Sequence, residues 1–291
     1  MHPFLANPSD LAAWHLSRLT SKGYPLEFAF TSVNDGIRYT LEIAPPRSKI
    51  PHRLMQLRFL LESLKVVDLD EAIYSLLENW QQMGALKFGA WLGVRHICGE
   101  VQYKIYAEIL TESSGLVHSY LDQFLISSLP FNRSKITPKM VGIYPTTGEL
   151  GFYFNVNQLR LSELRYLLIP IGFEKYDCDL INHLQWAYGK MIANQFPGPN
   201  FGFSYAINPS ALSSITAFSF YSFCRTLFGV NGRNTRYNLL RYYSALDIDM
   251  SYYEKMSAAE KYQLQDKNYH GLLGFSVASG RELISYIGLT P

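Results

Sequence analysis

The stretch from Gln102 to Ile109, QYKIYAEI, places Lys104, Tyr106 and Glu108 at every second position. On an extended strand alternate side chains share a face, so these three stand in one row. An ammonium binds an anion, a phenol ring shields a cation and a carboxylate takes up a proton. The other face, Tyr103, Ile105, Ala107 and Ile109, suits a core. The mixture recurs: Arg38, Thr40 and Glu42 share a face, as do Glu149, Gly151 and Tyr153, then Ala217, Ser219 and Tyr221, then Tyr269 and Gly271. On a single strand a polar face means water as readily as ligand. Repetition over several strands points instead to an enclosed, polar and aromatic chamber. The 21 tyrosines suit one, since each offers an apolar body and a hydroxyl tip.

Paired strands supply the frame. Residues 26–33 and 37–44 alternate around Asn34-Asp35-Gly36, a hairpin turn signal, and Pro45-Pro46 stops the second strand. Leu54, Leu57, Leu60, Leu61 and Leu64 follow at helical spacing, and Asp68 or Asp70 can cap a second helix running to about residue 83. The same grammar predicts strand pairs at 86–94 and 101–110, at 139–144 and 149–156, at 201–208 and 215–223, and at 269–277 and 282–289. Helices are predicted between them at 113–129, 161–168, 178–194, 237–246 and 251–263. Adjacent strands joined by short turns are antiparallel. The fold class is therefore α+β: a closed ten-stranded antiparallel β-barrel surrounded by α-helices, one domain over residues 1–291. Closure leaves no open edge, and this strand number leaves room for a ligand chamber.

Composition narrows the function. A net charge of +2 argues against a nucleic-acid partner. Cys98, Cys178 and Cys224 are scattered without metal-ligand spacing, which fits a reducing, cytoplasmic setting. The first residues lack the basic start and apolar run of a signal peptide, and no stretch reaches the roughly 18 apolar residues of a membrane span. VDLDEA and LDIDM read as helix starts, because Asp favours helix N-termini. GFSYA lies between antiparallel strands, whereas a nucleophile elbow precedes a helix. His96 and Cys98 have no second ligand pair. GVNGR lacks the strand, loop and helix with Lys that a phosphate loop needs.

This order of elements, with YKIYAEI, GIYPTTGELGFYFNV and FGFSYAINPSALSSITAFSFYSF, resembles the aromatic prenyltransferases of the ABBA, or PT-barrel, fold. That family builds five αββα units into a barrel and carries a Lys-x-Tyr on the fourth strand. The likeness covers nearly the whole chain in element order and is greatest to the soluble bacterial branch, which prenylates phenols, naphthalenes and indoles. It implies transfer of a dimethylallyl or geranyl group from its diphosphate to an electron-rich aromatic acceptor by electrophilic substitution. The acceptor expected is an indole-type small molecule of natural-product (alkaloid) biosynthesis. The resemblance implies that Lys104 binds the diphosphate and Tyr106 shields the allylic cation. Tyr153, Tyr205 and Tyr221 would wall the chamber. Glu42 falls where some members hold Mg2+ with an Asp, while others use an acidic residue near the barrel's start to accept an indole N–H. Mg2+ use is left open, and no organic cofactor is implied. Glu42 and Glu108 are the candidates to remove the ring proton.

The chain departs from the family at two cationic positions. Ala217 stands where one branch has Arg on the eighth strand, and Tyr269, two after Lys267, replaces a basic residue on the ninth. Arg38, Arg95, Arg225, Lys267 or Mg2+ would have to compensate. Arg38, Lys267 and Tyr269 therefore join the expected substrate-binding set. Phe203, Leu273 or Trp91 would set the donor length. The state expected is monomer or homodimer. Two rival readings are prenylation of a peptide Tyr or Trp and a non-catalytic barrel for a hydrophobic ligand.

Overall fold

A computed structural model describes residues 17–33, 36–44, 48–66, 70–127, 136–209, 215–262 and 267–290. The strands are β1 (Leu26–Thr31), β2 (Ile37–Leu41), β3 (Ala90–Ile97), β4 (Glu100–Glu108), β5 (Ile136–Ile143), β6 (Leu150–Asn157), β7 (Asn200–Ile207), β8 (Ile215–Phe223), β9 (His270–Ala278) and β10 (Ile284–Leu289). Each pairs antiparallel with its neighbours in the chain, and β10 returns to pair with β1. The result is the closed barrel that the alternation predicts.

Eight α-helices among the described residues connect the hairpins: α1 (Arg53–Ser63), α2 (Glu71–Gln81), α3 (Ser114–Leu121), α4 (Leu161–Leu168), α5 (Asp177–Tyr188), α6 (Cys224–Phe228), α7 (Gly232–Ala245) and α8 (Ser251–Met256). The Asp70 carboxylate accepts the Ala72 N–H at 2.9 Å and starts α2, which buries Tyr74, Leu77 and Trp80. Helix α1 buries Leu54, Leu57 and Leu61 but stops at Ser63, so Leu64 is exposed rather than part of the core. Helix α6 escapes the sequence reading because it follows β8 directly, without a turn signal. The expected Asn34-Asp35 turn, the Pro45-Pro46 stop and Asp68 lie outside the described residues.

Alternation sorts each strand into two environments. Ile105, Phe152, Phe154, Phe218 and Phe275 point outward and are at most 1% exposed beneath the helices. Each such side chain contributes about 1.5–3 kcal/mol on burial. Tyr106, Tyr153, Tyr221 and Tyr286 alternate with this set and turn inward. Glycines make room for their rings. A Cβ on Gly93 would come within 2.8 Å of the Tyr106 ring, while Gly202 and Gly274 lie under Tyr221 and Tyr286. Gly93↔Lys104, Gly202↔Tyr221 and Gly274↔Tyr286 are cross-strand pairs, so large residues on one strand meet empty space on the next.

Candidate active site

Lys104 and a group of tyrosines form the centre of the chamber. From β4, the Lys104 ammonium donates to the Tyr153 hydroxyl on β6 at 3.0 Å. It also lies 4.5, 5.4 and 5.5 Å from the ring centroids of Tyr144, Tyr153 and Tyr106. Tyr106 and Tyr153 meet edge to face at 5.8 Å. Gly142 and Gly151 make room for this corner, since a Cβ on Gly142 would overlap the Lys104 stem and one on Gly151 would crowd its ammonium and the Tyr153 ring. Burial, followed by the neighbouring Tyr153, pushes the Tyr106 hydroxyl far above its ordinary pKa, against the pull of Lys104. Burial does the same to Tyr153, Tyr221 and Tyr286, with Tyr106 and Tyr153 adding to the shift of the last two. Four neutral phenols from β4, β6, β8 and β10 therefore surround one space.

Three strands around the wall from Lys104 stands Glu27 on β1. Its carboxylate fits against Gly271 and Gly288, where any Cβ would collide with it. It opens onto the lumen but is removed from bulk water, and burial raises its pKa from 4.5 to about 7. Registers Glu27↔Thr40, Thr40↔Gly93 and Gly93↔Lys104 place it in the same lateral row as Lys104. Sequence reasoning passed over Glu27 and Tyr286. Their signal was the alternation of Glu27 with Ala29 and Thr31, and of Tyr286 with Ile284 and Gly288.

Other expected residues serve different ends. The Glu42 carboxylate receives the Arg53 guanidinium on one oxygen and the Ser17 hydroxyl on the other. Glu42 and Arg53 are both buried, and Arg53 also donates to the Phe88 carbonyl at 3.1 Å. Those contacts engage Glu42 as the tie between β2 and α1, which corrects its reading as a base or Mg2+ ligand. The Glu108 carboxylate accepts the backbone N–H groups of Lys87, Phe88 and Gly89 at 2.6–3.0 Å. It anchors the segment entering β3, and its role as a base is corrected too. Tyr205 points outward, donates to the Leu167 carbonyl of α4 at 2.8 Å and packs on Phe154, Phe203 and Phe218. Phe203 and Leu273 share that outer layer, so neither can gauge donor length. Lys267 is exposed in the loop before β9. Tyr269, just ahead of β9, stands edge-on to Tyr24 at 6.5 Å. Arg225, on α6, is exposed.

Lys104, Tyr106, Tyr153 and Tyr221 do converge in the lumen. Arg38 faces it beside Arg95, its cross-strand neighbour. Trp91 pairs with Tyr106, and its ring stacks on Phe88 at 3.8 Å. The buried Trp91 indole N–H donates to no group among the described residues. No cluster of three His, Cys, Asp or Glu side chains that could hold a metal occurs among the described residues. No described helix is long and apolar enough to cross a membrane.

Solved structures share this fold. The 5-dimethylallyl tryptophan synthase from Streptomyces coelicolor, in complex with DMASPP and Trp, superposes with a TM-score of 0.75 at 14% identity, covering 99% of this chain and 85% of that one. The 6-dimethylallyltryptophan synthase from Micromonospora olivasterospora, also in complex with DMASPP and Trp, gives 0.70 at 13%, covering 96% and 84%. AnaPT from Neosartorya fischeri gives 0.64 at 13%, covering 93% and 79%. The chain has the PT-barrel fold. No family model matches the sequence, and no curated protein matches it either.

Proposed function

We propose that the protein is an aromatic prenyltransferase that moves a dimethylallyl or geranyl group from its diphosphate to an electron-rich ring, with indoles the favoured acceptors. The observation that carries this reading is the Lys104 ammonium set among three tyrosine rings in the lumen, with the Glu27 carboxylate, which pairs with no group among the described residues, three strands away. The tryptophan acceptors in the similar structures add to it.

The chemistry follows from the geometry. Lys104 and the Tyr153 hydroxyl donate to the diphosphate as its bond to the allylic carbon breaks, stabilising the charge that develops there. The faces of Tyr106, Tyr153, Tyr221 and Tyr286 stabilise the allylic cation and keep water from it. The acceptor ring then forms the new carbon–carbon bond and loses a proton. Glu27, with a pKa of about 7, accepts the ring N–H of an indole and is matched to taking up that proton at neutral pH. It pairs with no group among the described residues, unlike Glu42 and Glu108, whose oxygens are already engaged.

The test is a product search by mass spectrometry. The protein is incubated with dimethylallyl or geranyl diphosphate and a panel of indoles, phenols and peptides, with and without Mg2+. A prenylated indole is the expected result. Absence of product from every combination would favour a binding barrel and refute the enzyme reading.

A further inference from the structure

The seat of Glu27 is held from outside the barrel. The Glu27 carboxylate lies against Gly271, and the residue before that glycine, His270, opens β9 with its ring on the outer face. His270 is buried there. Its Nε2 meets the Tyr253 hydroxyl of α8 at 2.7 Å, and its Nδ1 meets the Asn268 amide oxygen at 3.0 Å. The Asn268 amide nitrogen donates in turn to the Thr235 hydroxyl of α7 at 2.9 Å and to the Gly229 carbonyl at 3.0 Å.

A second buried carboxylate enters this cluster. Glu260, on the short 3-10 turn Ala258–Tyr262, accepts the Tyr269 N–H on one oxygen at 2.7 Å. Its other oxygen stands 3.0 Å from His270 Nδ1, at ion-pair distance and without an aligned hydrogen bond among the described residues. Gly232 leaves room for it, since a Cβ there would collide with the carboxylate. A buried carboxylate is costly without a compensating charge. Tyr253 from α8, Tyr243 from α7 and Cys224 from α6 cannot supply one, and burial raises the pKa of each. Arg236 from α7 is engaged by Ser257 at 3.1 Å and Glu254 at 3.5 Å. His270 is therefore the counter-charge at hand for Glu260.

Glu27 and this pair occupy opposite faces of one stretch of β9. Glu27 rests on Gly271 from the lumen, while Glu260 holds the Tyr269 N–H and the His270 ring from outside. Cys224 senses both acids: after burial, the charges of Glu27 and Glu260 each add to the rise in its pKa. On the lumen side Glu27 faces Thr40 of β2 and the bare glycines of β9 and β10, with Arg38 opposite Ala29.

We propose that Glu260 and His270 are positioning residues for Glu27. They fix the glycine seat of the base and back it with a balanced pair of charges, and that balance sets the base strength of Glu27. The proposal rests on the reading of Glu27 as the base. Without His270, the Glu260 charge acts on Glu27 uncompensated and makes its ionisation harder.

Carbon-13 NMR of protein labelled at the glutamate side-chain carboxyl reads Glu27 directly, its signal assigned by its loss in Glu27→Gln. Wild type is expected to titrate at about 7. His270→Gln is expected to raise that midpoint by about one pH unit, and the acid limb of kcat/KM with it. Combining His270→Gln with Glu260→Gln removes both charges and is expected to restore the wild-type value. Glu260→Gln alone is expected to bring the midpoint no higher than wild type, and thermal unfolding checks that each variant folds. An unmoved midpoint in His270→Gln overturns the inference. So does a rise that persists in the double variant or appears in Glu260→Gln. Midpoints that shift as expected in a protein forming no prenylated product uphold the coupling and defeat the enzyme reading instead.

Discussion

The Lys104 corner and the Glu27 wall stand three strands apart in one lateral row of the barrel and are built on opposite terms. From β1 to the Lys104 strand, β4, is three strand spacings, roughly 14 Å around the wall. Lys104 is accommodated in advance: a hydroxyl accepts its hydrogen bond and three rings attract its charge, and no carboxylate among the described residues pairs with it. Glu27 has no such provision, and burial has moved its pKa to about 7. One wall is built to receive an anion. The other is poised to exchange a proton near neutrality. Separating the two charges keeps them from neutralising each other as an ion pair, as Glu42 and Arg53 do.

The contrast is tested most severely at Lys104. Lys104→Ala is expected to lower kcat/KM for prenyl transfer by about 10²–10³-fold, the usual loss on removing a donor to a developing anion. Undiminished transfer by the purified variant would overturn the assignment of that wall.

Glu27→Gln should cost about 10²-fold in kcat/KM. In wild type, activity is expected to fall as pH drops through about 7, where the base becomes protonated, and the variant should lose that limb. Stability should move the other way. Because the folded pKa lies above the unfolded value, the unfolded chain releases its proton first. Wild-type stability therefore declines as pH rises from about 4.5 to about 7. Denaturation at pH 8 should find Glu27→Gln more stable by up to about 3 kcal/mol. A variant no more stable than wild type at pH 8 would show that Glu27 is not held against its ionisation.

A smaller effect is expected outside the lumen. Tyr205→Phe removes a hydrogen bond to α4 and should cost about 1 kcal/mol in urea unfolding, with kcat/KM unchanged. A tenfold loss of activity without loss of stability would return Tyr205 to the chamber. Smallest of all, Lys267→Ala should leave both activity and stability within error, since the side chain is exposed away from the lumen.

Much of the fold was legible before any coordinates. The helix Leu161–Leu168 and the strand Ile215–Phe223 match the sequence reading to the residue. Others shifted by a few residues, as at β3, read as 86–94 and found at Ala90–Ile97, because Phe88 and Gly89 pack and turn before the ladder begins. Alternation separates two faces of a strand but does not say which one is inside. It served for Lys104 and Tyr106, whose opposite face was plainly apolar. It failed for Tyr205, whose neighbours Phe203 and Ile207 are apolar and whose alternate face holds only Ser204 and Ala206.

The carboxylates show the deeper limit. By itself the sequence determined the number of staves, the helices between them, and a Lys–Tyr row fit to hold an anion beside a cation. These depend on local period, which is written in the chain. Only the tertiary structure decided which acid is free to act. Glu42 meets Arg53, Glu108 meets three backbone N–H groups, and Glu27 meets two glycines and the open lumen. A carboxylate's chemistry is set by what closes around it, and those partners come from strands and helices distant in sequence.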